Sequence, residues 1–161
     1  MRILVLSDTH LPRTASDLPQ KIYNEIPRVD AIIHAGDFVE KSVYDKLAAL
    51  KPVTAVCGNM DSTALHDILK QREILEIGTL RIGITHGHGA SRELMATVRK
   101  DFKDVNAIVY GHSHVSENTV KDKVLFFNPG SPTDKVFSAV NTYGILEANE
   151  SGITGTIVRI D

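Results

Sequence analysis

The chain has 161 residues, of which 42% are hydrophobic and 24% are charged, a balance typical of one folded domain rather than a disordered segment. Its formal net charge of -2, the lack of clustered like charges and the absence of tryptophan argue against a duplex nucleic-acid surface or a membrane surface. No apolar stretch approaches the ~20 residues that a membrane-spanning helix needs. One cysteine, Cys57, excludes an internal disulfide and a cysteine-based metal site, and we expect a cytoplasmic protein.

The N-terminal part of the chain alternates predicted strands with predicted helices. Short continuous apolar runs are typical of strands that are covered on both faces. Such runs occupy residues 3–6, 30–37 and 53–57. The helix after the first run is expected to begin at the capping pair Ser16-Asp17 and to end at Pro27, because proline cannot continue a helix. Apolar residues three or four apart predict the next helix, with a stripe from Val43 to Leu50.

A different pattern follows in the C-terminal part, where strands come mostly one after another. They are predicted over residues 73–77, 80–85, 106–110, 115–120, 124–127, 137–147 and 153–160. The first two are separated by Gly78-Thr79, a two-residue hairpin turn. Ser91 is expected to cap the helix that precedes residue 106. Because strand–helix units come first and successive strands follow, we expect a single α/β domain over residues 1–161.

Polar side chains follow five of the predicted strands, at the point where each strand ends. They are Asp8 and His10, Asp37, Asn59, His86, and His112 with His114. Open α/β sheets bind ligands beyond the carboxyl ends of their strands, so we expect these side chains to converge. In the motif Gly111-His112-Ser113-His114, an extended backbone would point both imidazoles in one direction, as a pair of metal ligands requires.

These side chains offer oxygen and nitrogen ligands and no sulfur. A single zinc ion is usually four-coordinate, so the set exceeds one closed zinc site. It suits two divalent cations that share a bridging carboxylate and leave positions open for water and substrate. Two metals about 3.5–4 Å apart clamp the attacking and leaving oxygens of a phosphoryl transfer. The residues therefore predict metal-dependent chemistry on a phosphate ester.

The candidate ligands lie in short motifs with a fixed order. The motifs are Asp-x-His at 8–10, Gly-Asp at 36–37, Gly-Asn-x-Asp at 58–61, His-Gly at 86–87 and Gly-His-x-His at 111–114. In this order they resemble the calcineurin-like metallophosphoesterase superfamily, and Asn-Pro-Gly-Ser at 128–131 resembles its small microbial phosphodiesterases. The resemblance implies a four-layer α/β/β/α sandwich of two mixed sheets flanked by helices. It also implies a phosphodiesterase, with a phosphomonoesterase as the alternative, that acts on a small-molecule or nucleotide-like phosphate ester.

Carried over by position, the resemblance implies that one metal is held by Asp8, His10, Asp37 and His114. Asp37 would bridge to a second metal, which is completed by Asn59, His86 and His112. The imidazoles favour transition metals over Mg²⁺ alone, with Mn²⁺ expected and Ni²⁺, Fe, Zn²⁺ or Mg²⁺ as alternatives. Under this hypothesis, hydroxide bound by the two metals forms near neutral pH and attacks phosphorus in line.

Two departures from the family pattern bear on the substrate. Many relatives place a proton-donating histidine after the motif asparagine, where this chain has Met60, and a thioether cannot donate a proton. We therefore expect esters with good leaving groups, with His88 as the nearest substitute acid and Asp61 placed to orient a water. Relatives also often carry an arginine after residue 131, where this chain has Lys135, which cannot form a bidentate contact. The candidate catalytic residues are Asp37, Asn59, Asp61 and His88.

Other interpretations stay open from the sequence alone. His34 lies within an apolar run, where a buried, hydrogen-bonded histidine is a better interpretation than a metal ligand. The alternative function is a non-catalytic protein-binding scaffold, since the fold of the family also occurs as such a subunit in a membrane-trafficking coat. Neither the natural substrate nor the oligomeric state is readable, and a homo-oligomer is left open.

Overall fold

The computed structural model describes residues 1–160, so Asp161, the last residue of the predicted domain, lies outside the described residues. The α-helices are α1 (Gln20–Glu25), α2 (Lys41–Ala48), α3 (Thr63–His66) and α4 (Leu94–Asp101). The first five strands are β1 (Arg2–Leu6), β2 (Ala31–His34), β3 (Val53–Ala55), β4 (Arg72–Ile77) and β5 (Leu80–Thr85). The others are β6 (Ala107–Val109), β7 (Glu117–Lys121), β8 (Val124–Asn128), β9 (Thr142–Asn149) and β10 (Gly152–Arg159). Among these residues, no helix has the length and apolar character that crossing a membrane requires.

The strands form two mixed sheets of five strands each. In the first sheet the order is β10-β9-β1-β2-β3, with β1, β2 and β3 parallel and β9 and β10 added as an antiparallel hairpin. In the second the order is β4-β5-β6-β8-β7, with β5, β6 and β8 parallel and an antiparallel strand at either edge. The carboxyl ends of β1, β2 and β3, and likewise those of β5 and β6, therefore reach one edge of their sheet.

Successive side chains of a strand point to opposite faces, and β1 shows how this builds the layers. Leu4 and Leu6 pack with Ile22 of α1 and Leu47 of α2 on the outer face of the first sheet. Ile3 and Val5 pack instead between the two sheets, against residues such as Ile82 and Val109 of the second sheet. On the other outer face, α4 covers Ile108 and Phe126. These layers confirm the predicted four-layer α/β/β/α sandwich.

The two sheets approach closely where Phe127 of β8 meets Gly144 of β9. A Cβ atom at position 144 would collide with the ring of Phe127. The ring therefore occupies space that a side chain on the first sheet would otherwise fill. Phe127 is fully buried in the layer between the sheets.

The predicted helix starts were wrong in two places. Helix α1 begins only at Gln20, after Pro19, and no side chain caps it. Asp17 does not cap the helix because its carboxylate accepts hydrogen bonds from Tyr23 Oη at 2.6 Å and Lys46 Nζ at 2.5 Å. Ser91 likewise gives no cap, because residues 91–93 form a 3-10 turn that precedes α4. At Asp17, hydrogen bonds to side chains of α1 and α2 therefore take the place of the predicted helix cap.

Two predicted element ends also differ from the structure. Leu50 lies beyond the end of α2 and is exposed, so it does not belong to the buried stripe of that helix. The strand predicted over residues 137–147 begins only at Thr142. Phe137 lies in the preceding segment, where hydrogen bonds to the Asp134 carboxylate replace strand pairing.

Candidate metal centre

The two sheets bring the predicted ligands to one place. The loops that follow β1, β2 and β3 carry Asp8, His10, Asp37 and Asn59. The loops that follow β5 and β6 carry His86, His112 and His114. His112 and His114 are partly buried and Asn59 is exposed, whereas the other four side chains are buried. The site therefore lies across the seam between the two sheets, with ligands from both.

The backbone at the site adopts conformations that L-residues rarely use. Five of the candidate ligands have a positive φ, namely Asp8 (53°), His10 (45°), Asp37 (60°), His112 (70°) and His114 (59°). Single residues in this left-handed region turn the chain sharply at the end of a strand. Gly58 adds a close approach, because a Cβ there would collide with the carboxylate and amide of Asp37. The loops are thus wound tightly around the ligands.

One group of potential ligand atoms comes from Asp8, His10 and His114, with all atoms within 4.8 Å of one another. His10 Nε2 lies 3.2 Å from His114 Nε2 and 3.9 Å from Asp8 Oδ1, and His114 Nε2 lies 3.5 Å from the same oxygen. Two imidazole nitrogens at this separation repel unless a proton or a cation lies between them. A site for a cation satisfies both lone pairs at once.

A second group shares Asp8 and adds Asp37 and His86, again within 4.8 Å. His86 Nε2 lies 3.3 Å from Asp37 Oδ2 and 3.1 Å from Asn59 Oδ1. Asn59 Oδ1 is also 3.3 Å from His112 Nδ1, which joins the remaining predicted ligands to this side of the centre. All seven side chains that the sequence singled out as ligands thus meet in one cluster.

Asp37 belongs to the second group and also lies close to His10 of the first. Its Oδ1 accepts a hydrogen bond from the Met60 amide at 2.7 Å, which fixes the carboxylate. Its Oδ2 lies 3.4 Å from His10 Nε2 and 3.3 Å from His86 Nε2, so one oxygen faces ligands of both groups. Asp37 and Asp8, the carboxylate common to the two groups, thus both lie near ligands of each group.

Burial and mutual charge shape the electrostatics of the centre. Desolvation raises the pKa of Asp8, although the neighbouring His86 and His114 oppose the shift. Burial also lowers the pKa of His10. For His86, burial opposes the charge, but the hydrogen bond to Asp37 and the charges of Asp8 and Asp37 raise its pKa to about 9. The carboxylates therefore stabilise positive charge in the middle of the cluster, whether it is carried by protons or by metal ions.

The chemistry of the donor set fits divalent metal ions. It combines two buried carboxylates, four imidazoles and an amide oxygen, with no thiolate among the described ligand atoms. Imidazole nitrogen with carboxylate oxygen suits Mn²⁺, Fe, Ni²⁺ or Zn²⁺, as expected from the sequence. The two groups of potential ligand atoms overlap at Asp8. The metal identity stays a prediction.

Neighbouring polar groups hold the imidazoles in place. His86 Nδ1 donates to the Ala35 carbonyl at 2.8 Å, which leaves Nε2 free to face the cluster. His114 Nδ1 lies 2.6 Å from Asp134 Oδ2, so this carboxylate orients the ring and directs Nε2 inward. Ligand histidines commonly donate their second N–H in this way. Sequence reasoning missed Asp134, because nothing in its local pattern shows that it reaches a histidine twenty residues earlier.

His34 is not a ligand but a buried part of the supporting structure. Its Nδ1 accepts the Gly36 amide at 3.2 Å, and its Nε2 lies 3.1 Å from Thr9 Oγ1. The ring stacks on Phe38 with a centroid distance of 3.4 Å. This agrees with the interpretation of a hydrogen-bonded core histidine. It links the loop after β1, which carries Asp8 and His10, to the loop after β2.

The structure does not bring the remaining candidate residues into the cluster. Asp61 is buried, and its carboxylate accepts the amides of Asp37 at 3.1 Å, Val39 at 2.8 Å and Gly58 at 2.7 Å. It holds together the loops after β2 and β3 and is not among the described residues that line the cavity over the cluster. His88 lines a separate cavity of about 210 Å³ on the far side of His86.

A larger cavity opens directly over the cluster. It measures about 520 Å³, and its lining includes His10, Asp37, Asn59, His112 and His114. Lys135, considered as a substrate contact from the sequence, is exposed and is not among the described residues that line it. Arg13 lines the cavity instead. The folded position of each loop, rather than spacing in the sequence, therefore decides which basic side chain lines the cavity.

Comparison with known proteins places this geometry in a family. Residues 1–151 match the calcineurin-like phosphoesterase superfamily domain. A probable metallophosphoesterase of Methanocaldococcus jannaschii is 39% identical over 137 residues, covering 83% of this chain and 69% of the relative. A phosphodiesterase of the same organism is 33% identical over 164 residues, covering 93% and 95% of the two chains.

A solved structure agrees with the sequence relatives. Vps29 of Entamoeba histolytica, in complex with zinc, superposes with a TM-score of 0.79 at 27% identity, covering 100% of this chain and 99% of Vps29. The similarity extends over both sheets and the helices that flank them. The chain belongs to the calcineurin-like phosphoesterase superfamily.

Proposed function

We propose that the protein is a metal-dependent phosphodiesterase. One observation carries the proposal: Asp37 Oδ2 lies between His10 Nε2 at 3.4 Å and His86 Nε2 at 3.3 Å, on the floor of an open cavity. A structural metal site would be closed by its ligands, whereas a catalytic site keeps positions open for water and substrate. The relative named a phosphodiesterase supports the same reaction.

Two divalent cations would be held by the two overlapping ligand groups. By the family pattern, the first would use Asp8, His10, Asp37 and His114, and the second Asp37, Asn59, His86 and His112. The two geometric groups differ from these sets in sharing Asp8, which lies near ligands of both. When bound, such a pair lowers the pKa of coordinated water and neutralises negative charge on a phosphate ester. Mn²⁺ is the ion that we propose first, since imidazole and carboxylate ligands together suit it.

The chain's own residues would bind and orient the ester. Arg13 lines the cavity and offers positive charge to a non-bridging phosphate oxygen. Met60 lines the same cavity and cannot donate a proton, so the leaving oxygen would depart without help from this position. A role for His88 or Asp61 as proton donor or water-orienting group stays a prediction, with His88 closer to solvent than the buried Asp61.

The experiment is hydrolysis of bis(4-nitrophenyl) phosphate by the metal-free protein, with Mn²⁺ restored or withheld by a chelator. We expect turnover only with metal. Asp37→Ala should lower kcat by about 10²–10³-fold or more, because the bridging charge is lost while the fold is kept. Asp45→Ala is the matched control, since Asp45 is exposed on α2, away from the cluster, and pairs with Lys41.

Two outcomes would contradict the proposal. Full activity in chelator would exclude the metal mechanism. Absence of turnover with Mn²⁺, Ni²⁺, Zn²⁺ and Fe²⁺, in protein shown to bind them, would favour the alternative function, a non-catalytic protein-binding scaffold of the same fold.

A further inference from the structure

The cavity over the metal centre has an apolar side that the ligands do not explain. Met60, Val136 and Phe137 line it and are exposed to 39%, 79% and 77%. A single exposed hydrophobic side chain is ordinary on a protein surface, but three on one cavity mark a surface that contacts something apolar. They stand beside a highly polar cluster, so the cavity has one charged part and one apolar part.

Phe137 is placed by the same carboxylate that orients a ligand. Asp134 Oδ1 accepts the amides of Val136 at 2.8 Å and Phe137 at 3.2 Å, and its Oδ2 contacts His114. The Phe137 ring lies edge-on to the His114 ring, with centroids 6.0 Å apart. The backbone at Phe137 is therefore anchored next to the metal centre, and the exposed ring lies beside His114.

Met60, another residue of the cavity lining, restricts the leaving group. The backbone amide of Met60 donates the hydrogen bond that fixes Asp37. The thioether of Met60 offers no proton to a departing oxygen. An oxygen that leaves well without protonation is one whose negative charge is delocalised, as in an aryloxide. The cavity of about 520 Å³ is within the range of sites that enclose a small organic ligand.

We propose, on the basis of the phosphodiesterase function above, that the surface formed by Met60, Val136 and Phe137 selects diesters with a planar aromatic group on the leaving oxygen. Water adds to phosphorus through its oxygen, and the bond from phosphorus to the aryl oxygen breaks. The electron pair leaves with the aryl oxygen, which receives through solvent the proton that the water loses. The products are a phosphate monoester and an aryl alcohol. Phe137 contacts the ring edge-on or offset-stacked.

The test compares two diesters whose leaving alcohols have similar acidity, methyl phenyl phosphate and methyl hexafluoroisopropyl phosphate. Phosphorus NMR gives kcat/KM for each with the Mn²⁺-loaded protein. In Phe137→Ala, the ratio of kcat/KM for the aryl ester to that for the alkyl ester should fall about ten-fold, as expected for loss of an aromatic contact. Phe137→Tyr should keep the ratio, and Phe137→Leu should give an intermediate value.

Val120→Ala is the matched control, because Val120 is also an exposed apolar residue but lies on the edge strand β7, outside the cavity lining. It should leave both rates and their ratio unchanged. An unchanged ratio in Phe137→Ala, with both diesters hydrolysed by the wild type, would overturn this inference and leave the phosphodiesterase function standing. If the metal-loaded wild type hydrolysed bis(4-nitrophenyl) phosphate but neither methyl diester, only this inference would be overturned. Hydrolysis of none of the three would overturn both.

Discussion

The left-handed backbone at the ligand residues has an energetic consequence. Five ligands adopt positive φ, where the Cβ of an L-residue lies close to its own carbonyl. Asp and His tolerate this region better than most residues, but each still carries strain that the surrounding fold must hold. The strain is concentrated in the loops that follow β1, β2 and β6, where these side chains have to point toward the cluster within a few residues of the strand end.

Comparing two substitutions at His112 isolates this strain. His112→Ala and His112→Gly both remove the imidazole, but only alanine keeps a Cβ at a φ of 70°. We expect the glycine variant to be more stable than the alanine variant by about 1 kcal/mol in free energy of unfolding. Urea unfolding in chelator measures the difference without any contribution from metal.

The control for this comparison is Ala96, an exposed position inside α4. There the wild-type alanine should be more stable than Ala96→Gly by about 1 kcal/mol, because glycine weakens a helix. If glycine were the less stable residue at both positions, the strain at His112 would not exist.

The residues that meet in the cluster could be predicted from the sequence, and the atoms that face it could not. Asp, Asn and His after apolar runs mark strand ends, so Asp8 or His86 could be recognised by position alone. Nothing local shows that His112 approaches Asn59 through Nδ1 while His114 presents Nε2. Asp61 illustrates the same limit, since its role follows from three amides contributed by two loops.

Among the elements, the segment from Ser131 to Phe137 departs most from its sequence pattern. A strand was predicted to begin at its last residue, Phe137, but side chains accept the amide hydrogen bonds of this segment and β9 begins only at Thr142. Ser131 Oγ accepts the Asp134 amide at 3.0 Å, and the Asp134 carboxylate accepts those of Val136 and Phe137. Such side-chain bonds compete with sheet pairing, and apolar periodicity does not register them. Most buried strands were predicted within a few residues because their apolar runs are continuous.

The role of Asp134 can be measured as metal affinity. In Asp134→Asn the side chain keeps its size and an oxygen acceptor but loses the charge that holds His114 Nδ1 at 2.6 Å. We expect the affinity for Mn²⁺ to fall about 10–100-fold, as is usual when the partner of a ligand histidine is changed. Isothermal titration of the metal-free protein gives this value independently of activity.

Asp104→Asn is the matched control, since Asp104 is exposed and lies at the far end of β6 from the ligands. Its affinity should equal that of the wild type. Equal affinity in Asp134→Asn as well, with the fold intact, would show that Asp134 does not orient His114.

On the scale of the whole molecule, the metal centre joins two sheets that pack mainly through apolar side chains. The first sheet supplies Asp8, His10, Asp37 and Asn59, and the second supplies His86, His112 and His114. A site that needs both sets exists only in the folded state. A bound cation therefore stabilises that state, and the free energy of unfolding rises with the logarithm of the cation concentration.

We therefore expect Mn²⁺ at about 100 times its dissociation constant to raise the free energy of unfolding by about 2.7 kcal/mol. Unfolding curves with metal and with chelator measure the shift. Asp37→Ala should show a much smaller shift, because Asp37 faces both ligand groups. A shift of full size in that variant would indicate metal binding elsewhere on the protein.

The layered architecture could be predicted only partly from residue patterns. Alternation of strands and helices followed by successive strands indicated an α/β domain, while the four layers came from the family resemblance. The order of the second sheet is beyond such reasoning, because β8 inserts between β6 and β7 although β7 precedes it in the chain. Strand pairing of this kind depends on contacts between distant residues, which periodicity does not contain.

The contact between Phe127 and Gly144 gains importance from this arrangement. Because Gly144 has no Cβ, the ring of Phe127 from the second sheet can pack against the backbone of the first. This contact sets the distance between the two sheets. Any larger side chain there would act as a wedge. Because each sheet carries part of the ligand set, a wider separation of the sheets would lengthen the distances between candidate ligands and weaken metal binding. A substitution at position 144 would have this effect without changing any candidate ligand.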